Sequence, residues 1–282
     1  EKKYRDLTRR VIVAKKNVKK NKILNASNLI AKRSPEPNGF FSFEKLFGKK
    51  TKMNIKKDTV ITKNHIVWKK KLVAILACRN GGRRLYGKPL QNLDSEKKIT
   101  ILQFIINNLK NTKALQDIGL AISNKKENLI FKDIAKKNSI KYIFGDDENV
   151  LSRLIKCGEL LKCTDILRIT SESPFPYLSS LSEIWKRHSL NNYDATFFDN
   201  IIEGCGFEII SLNALKKSHK NGKKKHRSEL CSLYIRENQN KFKILKIKID
   251  KNLFRKDLRL TVDNPEDLIV CKSVFKKFKK RP

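Results

Sequence analysis

From residue 72 onward the chain alternates wholly apolar runs with longer amphipathic ones, and few folds accept that alternation. LVAILA carries no polar residue, as expected of a strand buried on both faces of a parallel sheet. Helix-spaced ITILQFIINNLKN, strand-like DIGLAIS, helical ENLIFKDIAKKNSI, the strand KYIF, helical NVLSRLIKCGELLKC and the strand DILRIT follow in turn. Strands separated by ten-to-fifteen-residue helices predict βαβ units and a three-layer α/β sandwich. Ligands in such sheets bind beyond the carboxyl ends of the strands, which lines up GGRR, GDDEN and SESP along one edge.

Residues 9–66 have a different texture. Short alternating runs are broken by turns about every ten residues, and SPEPNG is a plain loop, so a small β-rich module is expected. Asn25 or Ser27 is a candidate cap for one brief helix. AKKNVKKNKILNASNL and KMNIKKDTVITKNHI echo each other as strand, basic turn, strand and polar cap. The predicted boundary gives residues 1–68 to this module and 69–282 to the α/β domain.

The loop after LVAILA holds the chemistry. Gly81 and Gly82 permit positive φ and a close backbone approach, and turned backbone of this kind forms an anion nest. Arg79, Arg83, Arg84 and Lys88 supply positive charge around it. The loop has neither the GKS/T ending of a P-loop nor GxGxxG. A triphosphate cradle and a plain tight turn both fit the spacing.

A formal charge of +36 over 282 residues invites a nucleic-acid reading. The excess is lysine spread along the whole chain rather than a concentrated stripe, so solvated faces and no specific nucleic-acid role are expected. The six cysteines form no CxxC pair and read as reduced, buried thiols of a cytoplasmic protein. No apolar run reaches membrane-spanning length. His188, His219 and His226 stand in polar, lysine-rich stretches and read as surface residues.

Taken in order, CRNGGRRLYGKPL, FGDDENVLSR, LRITSESP, SELCSLYIRENQNKFKI and LRLTVDNPEDL resemble the landmarks of the sugar cytidylyltransferases. The likeness is to the spore-coat polysaccharide type and to the CMP-KDO and CMP-sialic acid synthetases, and it covers residues 71–278. RRVIVAKKNVKKNKIL, NLIAKR and LFGKKTKMNIKKDTVIT, over residues 8–66, resemble the SAF, or antifreeze-like, β-clip domain of the sialic acid synthases. The resemblance implies a Rossmann-like nucleotidyltransferase domain that joins CTP to a sugar acid, with Mg²⁺, and forms a homodimer. It implies catalytic roles for Arg84, Lys88 and Asp263. Nucleotide contacts fall to Arg79, Gly81, Gly82, Arg84, Lys88 and Arg153, and metal binding to Glu172 and Asp263. Glu208 and Glu229 belong to the sugar side, and Arg33 of the β-clip is implied to be a substrate contact that reaches over the active site of a partner subunit.

The chain departs from the family where Gly82 replaces serine, Tyr86 proline, Glu172 aspartate, Gly206 aspartate and Leu230 histidine. Asp263, just ahead of NPED, also suits a helix cap. Beginning at Glu1, the chain is expected to be the C-terminal part of a synthase–transferase fusion, with a sialic acid synthase barrel upstream or in trans. A catalytically weak sugar-nucleotide binding protein and a basic nucleic-acid binder are the rival readings.

Overall fold

The computed structural model describes residues 9–67, 70–82 and 84–278; Arg83 and the ends of the two expected domains lie outside them. The chain divides into two compact units, Glu1–Lys69 and Lys70–Pro282.

In the first unit β1 (Arg10–Ala14) pairs antiparallel with β2 (Leu29–Arg33), and Arg33 faces Arg10 across the ladder. The two echoing segments pair with each other through an antiparallel bridge between Val18 and Ile55. Lys20 N–H donates to Asn54 Oδ1 (2.8 Å) and Lys57 N–H to Asn17 Oδ1 (2.7 Å), so the same bond is made in both directions. Asn21 (φ 64°) and Asp58 (φ 65°) both take the left-handed conformation that Asn and Asp tolerate best, turning each copy at the same place. The echo is a local two-fold. Its core is shared, with Ile12, Val18 and Leu24 packed on Leu46, Ile55 and Ile61. The brief helix expected near Asn25 and Ser27 is a turn: Asn25 Oδ1 accepts from Ser27 N–H at 2.9 Å, an Asx turn that competes with helix.

In the second unit β3 (Leu72–Cys78) lies inside a seven-stranded sheet. Next along the chain come a small hairpin of β4 (Asn92–Asp94) and β5 (Ile99–Thr100), and helix α1 (Ile101–Lys110). Then follow β6 (Asp117–Ser123), α2 (Ile130–Lys137), β7 (Lys141–Gly145), α3 (Val150–Leu160) and β8 (Asp165–Arg168). The rest is α4 (Leu181–Leu190), β9 (Ala195–Phe198), β10 (Phe207–Ser211), α5 (Leu212–Asn221), α6 (Lys224–Arg227), α7 (Leu233–Glu237), β11 (Ile244–Lys246) and α8 (Pro265–Phe278). The large sheet runs β11-β9-β10-β8-β3-β6-β7.

Side-chain alternation explains the three layers. Leu72, Ala74 and Leu76 point into a core with α1, α2, α4 and α8, while Val73 and Ile75 point into another with α3, α5 and α7. Strand β10 is the one reversed strand, antiparallel to both β8 and β9. Its first residues therefore lie beside the carboxyl end of β8, with Glu208 opposite Arg168.

Two histidines are not surface residues. His188, on the inner face of α4, is wholly buried with Nε2 3.1 Å from Asp165 Oδ1 and Nδ1 2.8 Å from Thr196 Oγ1. His226 is buried against Tyr234, with Nε2 2.7 Å from Glu237 Oε2. A buried polar ring needs such partners, and these lie outside the polar stretch around each histidine. His219 is half-buried beside Asn149. All six cysteines are buried and unpaired.

Candidate active site

A cleft of about 890 Å³ opens at the carboxyl ends of β3 and β8 and is bordered by the glycine loop. The loop is anchored from beneath. Asn80 is buried; its N–H donates to Asn128 Oδ1 (2.7 Å) and its Nδ2 to the Glu127 carbonyl (2.5 Å). The two glycines serve different ends. A Cβ at Gly81 would meet nothing within 4 Å, whereas one at Gly82 would lie well inside 3.0 Å of the Leu85 carbonyl oxygen. Neither has positive φ. The left-handed residue is Gly87 (φ 60°), which precedes a short 3₁₀ turn at Lys88–Leu90 and donates its N–H to the Asn80 carbonyl (2.9 Å).

That turn delivers Lys88 to Asp263, with Nζ 2.5 Å from Oδ1; Arg84 Nη2 stands 3.8 Å from the same oxygen. Arg259 bonds the other oxygen of Asp263. Burial pushes the Asp263 carboxyl up, but hydrogen bonds and charge from Lys88 and Arg259 outweigh it and hold it below the usual aspartate range. The cap reading of Asp263 does not hold. Asp267 Oδ2 accepts from the N–H groups of Asp263 (2.8 Å) and Asn264 (2.9 Å), caps α8, and leaves the Asp263 carboxylate to the cleft.

Glu172 follows β8 and lines the same cleft. Val262 N–H donates to the Glu172 carbonyl (3.1 Å) and Ser173 Oγ to Thr261 Oγ1 (2.9 Å), so the two carboxylate-bearing segments run side by side. Burial raises the Glu172 carboxyl and the Asp263 charge raises it further, against Lys88. Two carboxylates that oppose each other's ionisation would each gain from a shared cation. Among the described residues there is no cluster of three or more metal-ligating side chains. One or two carboxylates completed by phosphate oxygens and water is a donor set that fits Mg²⁺.

The remaining candidates divide. Arg79 pairs with Glu229 at 2.8 Å, both exposed at the cleft rim. Arg153 is 1% exposed at the cleft floor, and its Nη1 donates to the carbonyls of Cys78 (3.3 Å) and Ala121 (3.1 Å). Gly145 makes room for it, since a Cβ there would lie 2.8 Å from Arg153 Cγ.

Glu208 is buried, and its oxygens accept from Arg168 (2.9 Å), Arg236 (2.7 Å) and Ser232 (2.7 Å). Burial raises its carboxyl, and the two arginines more than reverse that. It lines a neighbouring 340 Å³ hollow that shares Glu172 and Asp263 with the main cleft. A Cβ at Gly206 would lie 2.8 Å from the Phe198 carbonyl oxygen, so this backbone leaves no room for a carboxylate there. Arg33 belongs to the other unit and is exposed at the end of β2.

Sequence reasoning missed Arg168, Arg236, Asp199, Arg259 and Asp267. Arg259 and Asp267 stand inside the quoted LRLTVDNPEDL, where their spacing to Asp263 was the available signal. Arg168 and Arg236 stand inside the quoted LRITSESP and SELCSLYIRENQNKFKI, whereas nothing local marks Asp199, which bonds Arg236 over a long sequence gap.

Comparison with known proteins gives the family and the fold. The family model described as cytidylyltransferase matches residues 73–280, and that of the SAF domain matches residues 9–67. The uncharacterized protein MJ1063 of Methanocaldococcus jannaschii is 30% identical over 208 residues, 74% of this chain and 84% of that protein. The spore coat polysaccharide biosynthesis protein SpsF of Bacillus subtilis is 26% identical over 216 residues, 75% and 89% of the two chains. Among solved structures, a cytidylyltransferase from Leptospira borgpetersenii superposes with TM-score 0.67 at 24% identity, covering 74% of this chain and 88% of that one. A CMP:2-keto-3-deoxy-manno-octonic acid synthetase complexed with CTP gives 0.55 at 10% identity, covering 74% and 99%. Both likenesses are of fold.

Proposed function

The chain belongs to the cytidylyltransferase family, as a CTP-dependent nucleotidyltransferase preceded by a SAF domain, and from that premise we propose that it activates a sugar acid of nonulosonic, sialic type. An acceptor oxygen forms a bond to the α-phosphorus of CTP, the bond from that phosphorus to the bridging oxygen breaks, and pyrophosphate leaves with the electron pair. One observation carries the reading: Glu172 and Asp263 are held side by side in a cleft whose glycine-loop wall presents Arg84 and Lys88 to Asp263.

The chain's own groups have distinct work. Arg84, Lys88 and Arg79 take the charge of the β- and γ-phosphates, and the backbone at Gly81 and Gly82 approaches them closely. Glu172 and Asp263 would hold Mg²⁺, which supplies positive charge against the phosphate oxygens as the new bond forms. Arg153 backs the nucleotide from the cleft floor. Glu208 keeps Arg168 and Arg236 in place around the acceptor side, where Glu229 also belongs. Holding both reactants in line is the larger part of catalysis for such a transfer.

The SAF domain in the same chain supports a nonulosonic acceptor, supplied by a synthase barrel fused upstream or acting in trans. A cytoplasmic homodimer is part of the same reading. No helix among the described residues is long and apolar enough to cross a membrane.

Pyrophosphate release from CTP and Mg²⁺ tests it, with and without a panel of eight- and nine-carbon sugar acids, in wild type and Asp263→Ala. Sugar-dependent release that disappears in the variant is expected. Silence across the panel with CTP still bound would make the chain a sugar-nucleotide binding protein instead.

A further inference from the structure

Asp263 meets cations on both of its oxygens, and the two sides are not alike. Oδ1 faces Lys88 and Arg84, which line the cleft. Oδ2 is bonded by Arg259, which lines neither that cleft nor the adjoining hollow. The same guanidinium reaches two more carboxylates: Nε donates to Asp267 Oδ1 at 3.1 Å, and Nη1 bonds Glu203. Asp267 is the cap of α8 and already holds the Asp263 backbone N–H.

The Glu203 end is fixed as well. Glu203 and Arg259 form a parallel bridge, and Leu260 N–H donates to the Glu203 carbonyl at 2.8 Å. Gly204 (φ 88°) permits that approach, because a Cβ there would lie 2.5 Å from the Thr261 nitrogen.

We propose that Arg259 is a positioning residue: its three-way fork clamps Asp263 from behind, so that one carboxylate oxygen is presented to the cleft in a set direction. It touches neither nucleotide nor acceptor and acts through Asp263. The proposal rests on the reading of Asp263 as a metal-holding carboxylate. Only a guanidinium supplies planar donors to three carboxylates at once; lysine keeps the charge and loses the fork.

The test is CTP binding by calorimetry, in Mg²⁺ and in EDTA, for wild type, Arg259→Gln, Arg259→Lys, Asp263→Asn and the Arg259→Gln/Asp263→Asn double variant, each checked by thermal melting. The affinity gained on adding Mg²⁺ is expected to fall about 10-fold in Arg259→Gln, the usual scale for losing a group that orients a metal ligand. Arg259→Lys should fall between, and it keeps the test alive if Arg259→Gln does not fold. Binding in EDTA should change by less than about twofold, and Arg259→Gln should add less than about twofold once Asp263 is Asn.

Equal losses in Mg²⁺ and EDTA, or a full loss persisting in the Asp263→Asn background, would overturn the proposal and leave Arg259 a purely structural residue. If Asp263→Asn removes the Mg²⁺ gain and Arg259→Gln does not, the proposal alone falls. If Asp263→Asn itself leaves the gain intact, the metal reading of Asp263 falls and takes the proposal with it.

Discussion

His188→Phe is expected to cost the α/β unit a large part of its stability while leaving turnover alone. The phenyl ring keeps the imidazole's place beside Trp185, whose ring centroid lies 5.7 Å away, so packing changes little. What disappears is polar: the 2.8 Å contact to Thr196 and the 3.1 Å contact to Asp165, both out of reach of solvent. Removing one partner of a buried pair costs about 3–5 kcal/mol, chiefly through the charge left behind. Lys70 Nζ stays 3.4 Å from the other Asp165 oxygen and places the loss near the lower end. For a unit of this size each kcal/mol is worth about 2–4 °C, so a loss of about 3 kcal/mol should lower the melting temperature by roughly 6–12 °C.

The pH dependence follows from Asp165. Burial pushes its carboxyl up, and His188 and Lys70 bring it below the ordinary 3.8. A depressed carboxylate stabilises the fold above its unfolded value and loses that contribution as pH falls through the folded one. The gap between wild type and variant should therefore be full at neutral pH and narrow in acid. Calorimetric melting of both proteins across that range is the assay, with Asp165→Leu added to His188→Phe expected to recover part of the loss. A deficit under about 1 kcal/mol at neutral pH would refute the reasoning, since breaking a buried pair should exceed that. So would a loss of turnover per folded molecule, because Asp165 begins β8 and lies at the end of the strand away from the cleft.

Gly82→Ala forces the loop to move because the Leu85 carbonyl is backbone, whereas Gly81→Ala enters open space. Misplacing a positioning loop by about an ångström costs up to ~100-fold, so KM for CTP should rise at least ~10-fold in the first and hold within about threefold in the second; equal effects would sink the distinction. Gly145→Ala drives Arg153 off the strand-end carbonyls and should weaken CTP binding with little change in acceptor KM, read by initial rates. Glu172 must be ionised to hold a cation, and burial with the Asp263 charge raises its carboxyl above the ordinary 4.5. The acid limb of kcat/KM, which reports the free enzyme, should therefore lie above the normal glutamate range and move higher still in Lys88→Met.

Much of the fold could be read from periodicity. The unbroken apolar run at Leu72 required two covered faces, and its residues do divide between two cores. Strand direction was not legible: FEII reads the same either way up the sheet, and the reversal of β10, which carries Glu208 to the carboxyl end of β8, depends on the loop of residues 199–206 that returns the chain from β9. The glycine pair was legible as a loop, but the left-handed turn went to Gly87, which only the bond to Asn80 reveals. His188 looked exposed because Arg187 and Ser189 flank it; its partners stand 23 and 8 residues away. Capping was assigned to Asp263 by its place before Asn264 and Pro265, yet Asp267 reaches back to both N–H groups.

The two-fold in the SAF domain has a kinetic consequence. Neither copy of the motif owns a core: Leu24 needs Ile61, and each copy's Asn side chain satisfies the other's lysine N–H. Contacts of such long sequence separation must form together after the intervening chain has closed, so the domain has high contact order and should fold slowly, with no half-formed species worth populating. A chain cut within the SPEPNG loop would leave each half of this domain unstructured, and their recovery of its fold would be second order in concentration.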